Sequence, residues 1–290
     1  MTRIPESELI LNPDGSIYHL HLKPEEIADT IITVGDQDRV QEVSKYFDSI
    51  EFKLNKREFI THTGYLNKKR ISVISTGIGT DNIDIVFNEL DALANINFET
   101  RLVNKVHKTL SIFRIGTSGS LQEDIPIDSL LVSDAGIGLD NLLTYYSGLP
   151  NHEIENVLKS ELEKEGYSQI YPYFAEVDKS LRAKFDNSSF LNGITATCPG
   201  FYAPQGRVVN YKLKGQPIPQ ILNQFRWNNQ RITNFEMETA GMYGLAYILG
   251  HKAISLNAIL ANRITNQFSS NPAKIVDLLI QKTLDIIIKS

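Results

Sequence analysis

The sequence predicts an α/β protein, a single domain over residues 1–290 with a mixed central β-sheet flanked by helices. Short apolar runs rich in Ile and Val alternate with segments of helical periodicity, the pattern of a sheet covered on both faces. Glycine, proline or asparagine stands where several of these segments end. No internal repeat, low-complexity stretch or Pro/Gly/Ser-rich linker divides the 290 residues.

Taken in order, "IITVGD" (31–36) reads as a buried strand ending in glycine. "KREFITHTGYLNKKRISVISTG" (56–77) reads as a hairpin turning through Asn67-Lys68-Lys69. Residues 81–96 place Ile83, Val86, Phe87, Leu90 and Leu93 on one face of an amphipathic helix. "LSIFRIG" (110–116) and "SLLVSDAG" (129–136) are strands, and a helix over 152–165 is closed by Gly166. "GITATC" (193–198) is a strand, 237–249 a helix ending at Gly250, and "KAISLNAILAN" (252–262) a further strand. The last helix, 271–288, has Asn271 as its cap and Pro272 at its first position. Residues 95–108 and 199–217 are irregular, and the second stretch is long enough to be a functional loop.

Composition narrows the function. A net charge of −5 without a long basic run argues against nucleic-acid binding. The lone cysteine, Cys198, excludes an intrachain disulfide framework and any multi-cysteine zinc site. There is neither a signal-like apolar region nor a run of eighteen apolar residues, so no membrane association is expected and a cytoplasmic setting is. "GIGTDN" (77–82) lacks the third glycine and the acidic residue of a dinucleotide site, and no phosphate-loop, zinc-protease or nucleophile-elbow motif occurs. His19 and His21, in "HLH", put two imidazoles on one face if extended, but have no third ligand nearby, and no metal site is expected.

Three constellations carry chemistry. Gly35 and Arg39 in "GDQDR", and Arg114, Gly116, Thr117 and Gly119 in "RIGTSG", each follow a strand-like segment. Loops at strand ends are where ligands bind in such sheets; arginine offers forked donors, and glycine lets backbone amides approach an anion. An isolated arginine after a strand is more often a surface ion pair, but the two sets together beside a TGIG turn favour an anion site. "CPGFYAPQGR" (198–207) combines aromatic Phe201 and Tyr202, the amide of Gln205 and the cation Arg207. Such a set can stack on and pair with a planar base, or it is a turn-rich loop with incidental polar residues. In "NFEMETAGM" (234–242), Glu236 and Glu238 either decorate a helix start capped by Asn234 or hold hydroxyl groups. An extended backbone ahead of the helix would point both carboxylates to the same side.

"YHLHL", "GDQDRV", "KREF", "STGIG", "RIGTSGSL", "FYAPQGR", "FEMETAGM" and "ANRI" occur collinearly from about Tyr18 to Arg263. In this the chain resembles the nucleoside phosphorylases of family I, and among them the uridine-cleaving members. The resemblance implies reversible phosphorolysis of uridine to uracil and ribose 1-phosphate, with inorganic phosphate as co-substrate and no organic cofactor. It implies phosphate binding by Gly35, Arg39, Arg114 and Thr117, with Arg57 reaching the site of a neighbouring subunit. His19 would likewise cross to the neighbour's ribose 5′-hydroxyl. Met237, Glu238 and nearby Glu236 would hold the ribose, Phe201 would stack on the base, and Gln205, Arg207 and Arg263 would read it. Arg114, Gln205 and Arg207 would be the catalytic groups. The shared sites imply a homo-oligomer, at least a dimer. Some relatives hold a monovalent cation at the interface, and Glu58 stands where one ligand would lie.

Purine-cleaving relatives typically have an aspartate where this chain reads Asn262-Arg263, and the Gln205/Arg207 pair resembles the pyrimidine enzymes. "TVGDQDR" lacks the prolines usual around its glycine, "YAPQGR" has Ala-Pro where Pro-Gly is common, and residues 95–108 are long for the pattern. The alternatives are a purine nucleoside phosphorylase, a nucleosidase of the same superfamily, or a silent nucleoside-binding protein.

Overall fold

Gln230–Glu236 forms a strand that the sequence conceals, and it closes the sheet that carries the site. The computed structural model describes residues 2–186 and 189–289. Its strands are β1 (Thr30–Val34), β2 (Ser49–Lys56), β3 (Phe59–Leu66), β4 (Lys69–Ser75), β5 (Ile96–Asn97), β6 (Leu102–Val103) and β7 (Ser111–Ser120). There follow β8 (Leu130–Gly138), β9 (Tyr173–Glu176), β10 (Leu191–Thr197), β11 (Arg226–Trp227), β12 (Gln230–Glu236), β13 (Lys252–Asn262) and β14 (Gln267–Phe268). The helices are α1 (Gln37–Ser44), α2 (Thr80–Asn95), α3 (Glu153–Lys164), α4 (Lys179–Arg182), α5 (Ile218–Gln224), α6 (Thr239–Ile248) and α7 (Pro272–Ile288).

The main sheet runs β11-β12-β10-β8-β13-β7-β1-β4-β3-β2, mixed in direction. β12 also pairs antiparallel with β7, through Asn234 opposite Ser120 and Phe235 opposite Gly119. Strands β7, β13, β8, β10 and β12 therefore form a closed ring, while β1, β4, β3 and β2 extend from it as an open wing. This is the mixed, helix-flanked sheet that the sequence predicts.

The apolar patterns act as expected. All five predicted core residues of α2 are buried. Asn271 caps α7 by accepting the Lys274 amide, and Gly250 follows α6 with φ +74°, a left-handed conformation that glycine adopts without Cβ strain. The β3–β4 turn places Asn67 and Lys68 at positive φ, as a twisted two-residue hairpin requires.

Several expectations need correction. β7 continues through "RIGTSGS" to Ser120, so Arg114 and Thr117 lie within a strand rather than after one. Arg39 lies on α1, a helix too short and polar to register as an amphipathic pattern. Asn234 is inside β12 and is not a cap; α6 begins at Thr239, after Glu238. The "HLH" segment is a turn with His21 at φ +55°, not a strand. Its imidazoles go to separate carboxylates, His19 to Glu89 and His21 to Asp14. The irregular stretch 95–108 contains the two-stranded β5–β6 ladder, whereas 199–217 holds only one short turn of helix, Ala203–Gln205.

Candidate active site

A cavity of about 760 Å³ opens where β7, β12 and β13 meet the ends of β1 and β4. Gly35, Arg39, Arg114 and Thr117 line one part of it, Glu236, Met237 and Glu238 another, and Phe201, Gln205 and Arg207 a third. Residues far apart in the sequence, from Gly35 to Glu238, thus converge, carried by strand β7, the first turn of α1, and the ends of other strands with the loops after them.

At its centre is an ion triad. Arg114 Nη2 donates to Glu238 Oε2 at 2.6 Å and lies 3.0 Å from Glu236 Oε2. All three side chains are almost fully buried. Burial opposes the charge on Arg114, but the two carboxylates outweigh it and the net shift is upward. Burial pushes Glu236 up to about 7, with Arg114 acting against it and Glu238 reinforcing it.

The two glutamates do face the same side, and Glu236 has a second task. Its Oε2 accepts the amides of Glu238 and Thr239 at 3.0 and 2.9 Å, and its Oε1 accepts Thr197 Oγ1 at 2.8 Å. Glu236 therefore faces the cavity and at the same time satisfies the first amides at the start of α6. Glu238 Oε1 accepts the Gly79 amide at 2.8 Å, so the TGIG turn supplies a backbone donor to the site. Gly79 sits at φ +101°, and a Cβ there would come within 2.6 Å of Asp81 Oδ1.

Arg39 differs from Arg114. Its Nε is buried and has no hydrogen-bond acceptor among the described residues. Burial lowers its pKa, with Asp36 and Glu42 opposing. A buried guanidinium N–H without an acceptor is stabilised by an incoming anion.

At the aromatic end, Arg207 lies 3.6 Å from the centre of the half-exposed Phe201 ring. Its Nη1 donates to Gln205 Oε1 at 2.6 Å and to the Phe201 carbonyl at 2.7 Å. Gln205 Nε2 has no acceptor among the described residues. Arg263 Nη1 donates to the Gln205 carbonyl at 3.1 Å, and Arg263 lies over Phe235. Burial, then the neighbouring charge of Arg263, lowers the pKa of Arg207.

Arg263 contacts the site through Gln205 without lining the cavity itself, and two other expected site residues stand apart from it. Arg57 is exposed in the β2–β3 turn at φ +54°, and His19 pairs with Glu89 at 2.6 Å. They cluster with each other instead: Arg57 lies over Tyr18, and Tyr18 and Phe59 both pack edge-on against His19. Glu58, next to Arg57, does line the cavity. Sequence reasoning missed Thr197, Ser118, Phe235 and Asn257, whose roles depend on β12 and β13 sitting beside β7.

One group with metal-ligand chemistry occurs among the described residues, Asp91, His107 and His251, at the far ends of α2 and β13. His251 Nδ1 accepts the Leu110 amide at 3.2 Å, which leaves the proton of a neutral ring on Nε2 and removes the lone pair a metal would need.

The phosphorylase superfamily model matches residues 29–284. A uridine phosphorylase from Thermococcus kodakarensis is 30% identical over 94% of this chain and 87% of its own. One from Haemophilus influenzae is 28% identical over 90% of this chain and 92% of its own. Among solved structures, a Trypanosoma brucei nucleoside phosphorylase that shows uridine phosphorylase activity matches with a TM-score of 0.85 and 28% identity, covering 97% of this chain and 98% of that one. By sequence and fold, the chain belongs to the phosphorylase superfamily.

Proposed function

We propose that the protein is a uridine phosphorylase, a pentosyltransferase that reversibly converts uridine and phosphate to uracil and ribose 1-phosphate. One observation carries this reading: a buried, unpaired Arg39 Nε faces the same cavity as the Gln205–Arg207 pair stacked on Phe201. The first suits an anion and the second a planar base with carbonyl groups, and the Glu236–Met237–Glu238 wall lines the same cavity.

In this reading phosphate sits among Gly35, Arg39, Arg114 and Thr117. The ribose hydroxyls take Glu238 and Glu236, with Met237 beneath the sugar. As the bond at C1′ breaks, positive charge builds on the ribose and negative charge on the base. Arg207 and the free Nε2 of Gln205 stabilise the departing uracil, with Arg263 completing the pocket. Phosphate stabilises the sugar cation and then attacks it, the two reactants already held in place. Inorganic phosphate is the co-substrate, no organic cofactor takes part, and the chain acts as a single domain in the cytoplasm.

The Arg57–Tyr18–His19 cluster supports a homo-oligomer, at least a dimer, in which Arg57 and His19 complete the neighbour's site. Glu58 then lies near that interface, at the position where some relatives hold a monovalent cation; no cation is assigned to it. Against purine cleavage, Asn262 is fully engaged: Nδ2 donates to the Gln122 and Ile125 carbonyls and Oδ1 accepts the Ile264 and Thr265 amides. It offers no proton to a leaving purine. A nucleosidase has no need of the arginines that face the phosphate position.

Ultraviolet-monitored cleavage of uridine and of inosine, each with and without phosphate, tests the reading. Phosphate-dependent loss of uridine with inosine intact is expected. Inosine cleavage would overturn the base assignment, phosphate-independent cleavage the phosphate site, and no turnover of either the enzyme itself.

A further inference from the structure

The five strands of the closed ring each contribute a buried polar side chain to one hydrogen-bonded circuit. It begins at Arg114 on β7, whose Nη1 donates to Asn257 Oδ1 on β13 at 3.1 Å. Asn257 Nδ2 donates to Ser133 Oγ on β8 at 3.2 Å; because Thr195 Oγ1 gives its own proton to Asn234, Ser133 Oγ donates to Thr195 Oγ1 on β10 at 2.6 Å. Thr195 Oγ1 donates to Asn234 Oδ1 on β12 at 2.9 Å, and Asn234 Nδ2 donates to Ser118 Oγ at 2.9 Å, back on β7. Asn257, Ser133, Thr195 and Asn234 have no solvent exposure, yet Ser118 and Arg114 both line the cavity.

Apolar residues would fill a barrel interior at less cost than buried hydroxyls and amides, which are tolerated when every member is satisfied. The circuit fixes directions. Asn257 cannot rotate its amide without turning Nδ2 against the guanidinium donors of Arg114. Arg114 is thereby held at both nitrogens: Nη2 by the two carboxylates and Nη1 by a neutral acceptor, with Ser255 Oγ also 3.3 Å away. A neutral group at Nη1 steers the fork without adding a third negative charge where an anion is to bind.

We propose that Asn257 is a positioning residue for phosphate: through Arg114, and oriented by Ser133, it sets the guanidinium that the phosphate meets. This rests on the phosphate assignment above. Asn257→Leu removes the acceptor at similar volume, and Ser133→Ala removes only the group that orients it. Thr63→Val, a buried hydroxyl on β3 bonded to the Glu26 carbonyl and remote from the cavity, serves as a control for general loosening.

Steady-state kinetics with uridine and phosphate varied separately, thermal melting, and calorimetric titration of inorganic phosphate are measured on the parent and all three variants. The phosphate KM and Kd are expected to rise about tenfold in Asn257→Leu and about threefold in Ser133→Ala, with the uridine KM unchanged. Thr63→Val lowers the melting temperature without moving either KM. Unchanged phosphate affinity in the first two, an equal rise in both KM values, or the same phosphate effect in Thr63→Val would overturn the proposal. If Asn257→Leu does not fold, Ser133→Ala decides alone. A parent that binds phosphate but cleaves nothing would sink the enzyme reading while calorimetry still tests Asn257; a parent that binds no phosphate would overturn both.

Discussion

The guanidinium of Arg114 occupies the space that a side chain on Gly116 would need. The two residues point the same way from β7, and a Cβ on Gly116 would stand 2.1 Å from Arg114 Nη1. Gly116 is therefore the platform against which the central cation lies flat. Gly116→Ala is expected to displace the guanidinium and reduce phosphate-dependent uridine cleavage by about a hundredfold, the scale of losing one aligned charge-stabilising donor. Retained activity in a kinetic assay would show that Arg114 does not need this seat.

Arg207 touches both the Phe201 ring and the Gln205 amide, the set proposed to hold the base. Arg207→Leu keeps bulk over Phe201 and removes the charge. Cleavage of uridine is expected to slow by about 10²–10³-fold, with phosphate affinity little changed. Separate kcat and KM measurements for the two substrates check this, and an effect confined to phosphate would contradict the assignment.

Glu236 gives the ligand-free protein a pH signature. Its carboxyl is raised to about 7 by burial, against Arg114 and with Glu238. A raised carboxyl contributes stability that is fully present below the unfolded carboxylate pKa and is lost as pH rises through about 7. Melting temperatures should thus fall between pH 5 and 8 by about 2–5 °C more in the parent than in Glu236→Gln. Parallel pH profiles for the two proteins would rule out the titration.

Arg39 and Arg57 belong to opposite subunits of one site if the oligomer is arranged as proposed. Arg39→Ala and Arg57→Ala should each be nearly inactive alone. Dissociated, mixed and reassociated, they should recover about a quarter of the parent activity, since one site in each mixed dimer is intact. No recovery despite mixed assembly would place Arg57 outside the shared site.

The parts of this architecture legible in the sequence are those whose apolar faces pack on a core. α2, α7 and the β3–β4 hairpin follow from periodicity because their buried sides are uniformly hydrophobic. β12 escaped because the residues that matter most along it, Thr233, Asn234 and Glu236, are polar and still buried. Its inner face serves the barrel circuit and the site, so the chemistry erased the alternation that would have marked a strand. β7 was cut short for a related reason: Gly116 and Gly119 look like loop residues, but they are small to admit Arg114 and Phe235. The collinear motifs hold most of the cavity lining, although His19 and Arg57 stand apart from it. The motifs did not show that Glu236 caps a helix or that Asn257 sits behind Arg114, because those relations arise only when β12 and β13 lie beside β7.

The double attachment of Glu236 restricts how this protein can change. The same carboxylate that looks into the cavity ties the end of β12, through Thr197, to the first turn of α6. A lineage that abandoned nucleosides for another ligand could discard Arg207 or Phe201 from an open loop at little structural cost. It could not discard Glu236 without rebuilding the strand-to-helix corner. Descendants with new specificities should therefore differ first at the loop, and carry an acidic corner as a relic long after its original ligand is gone.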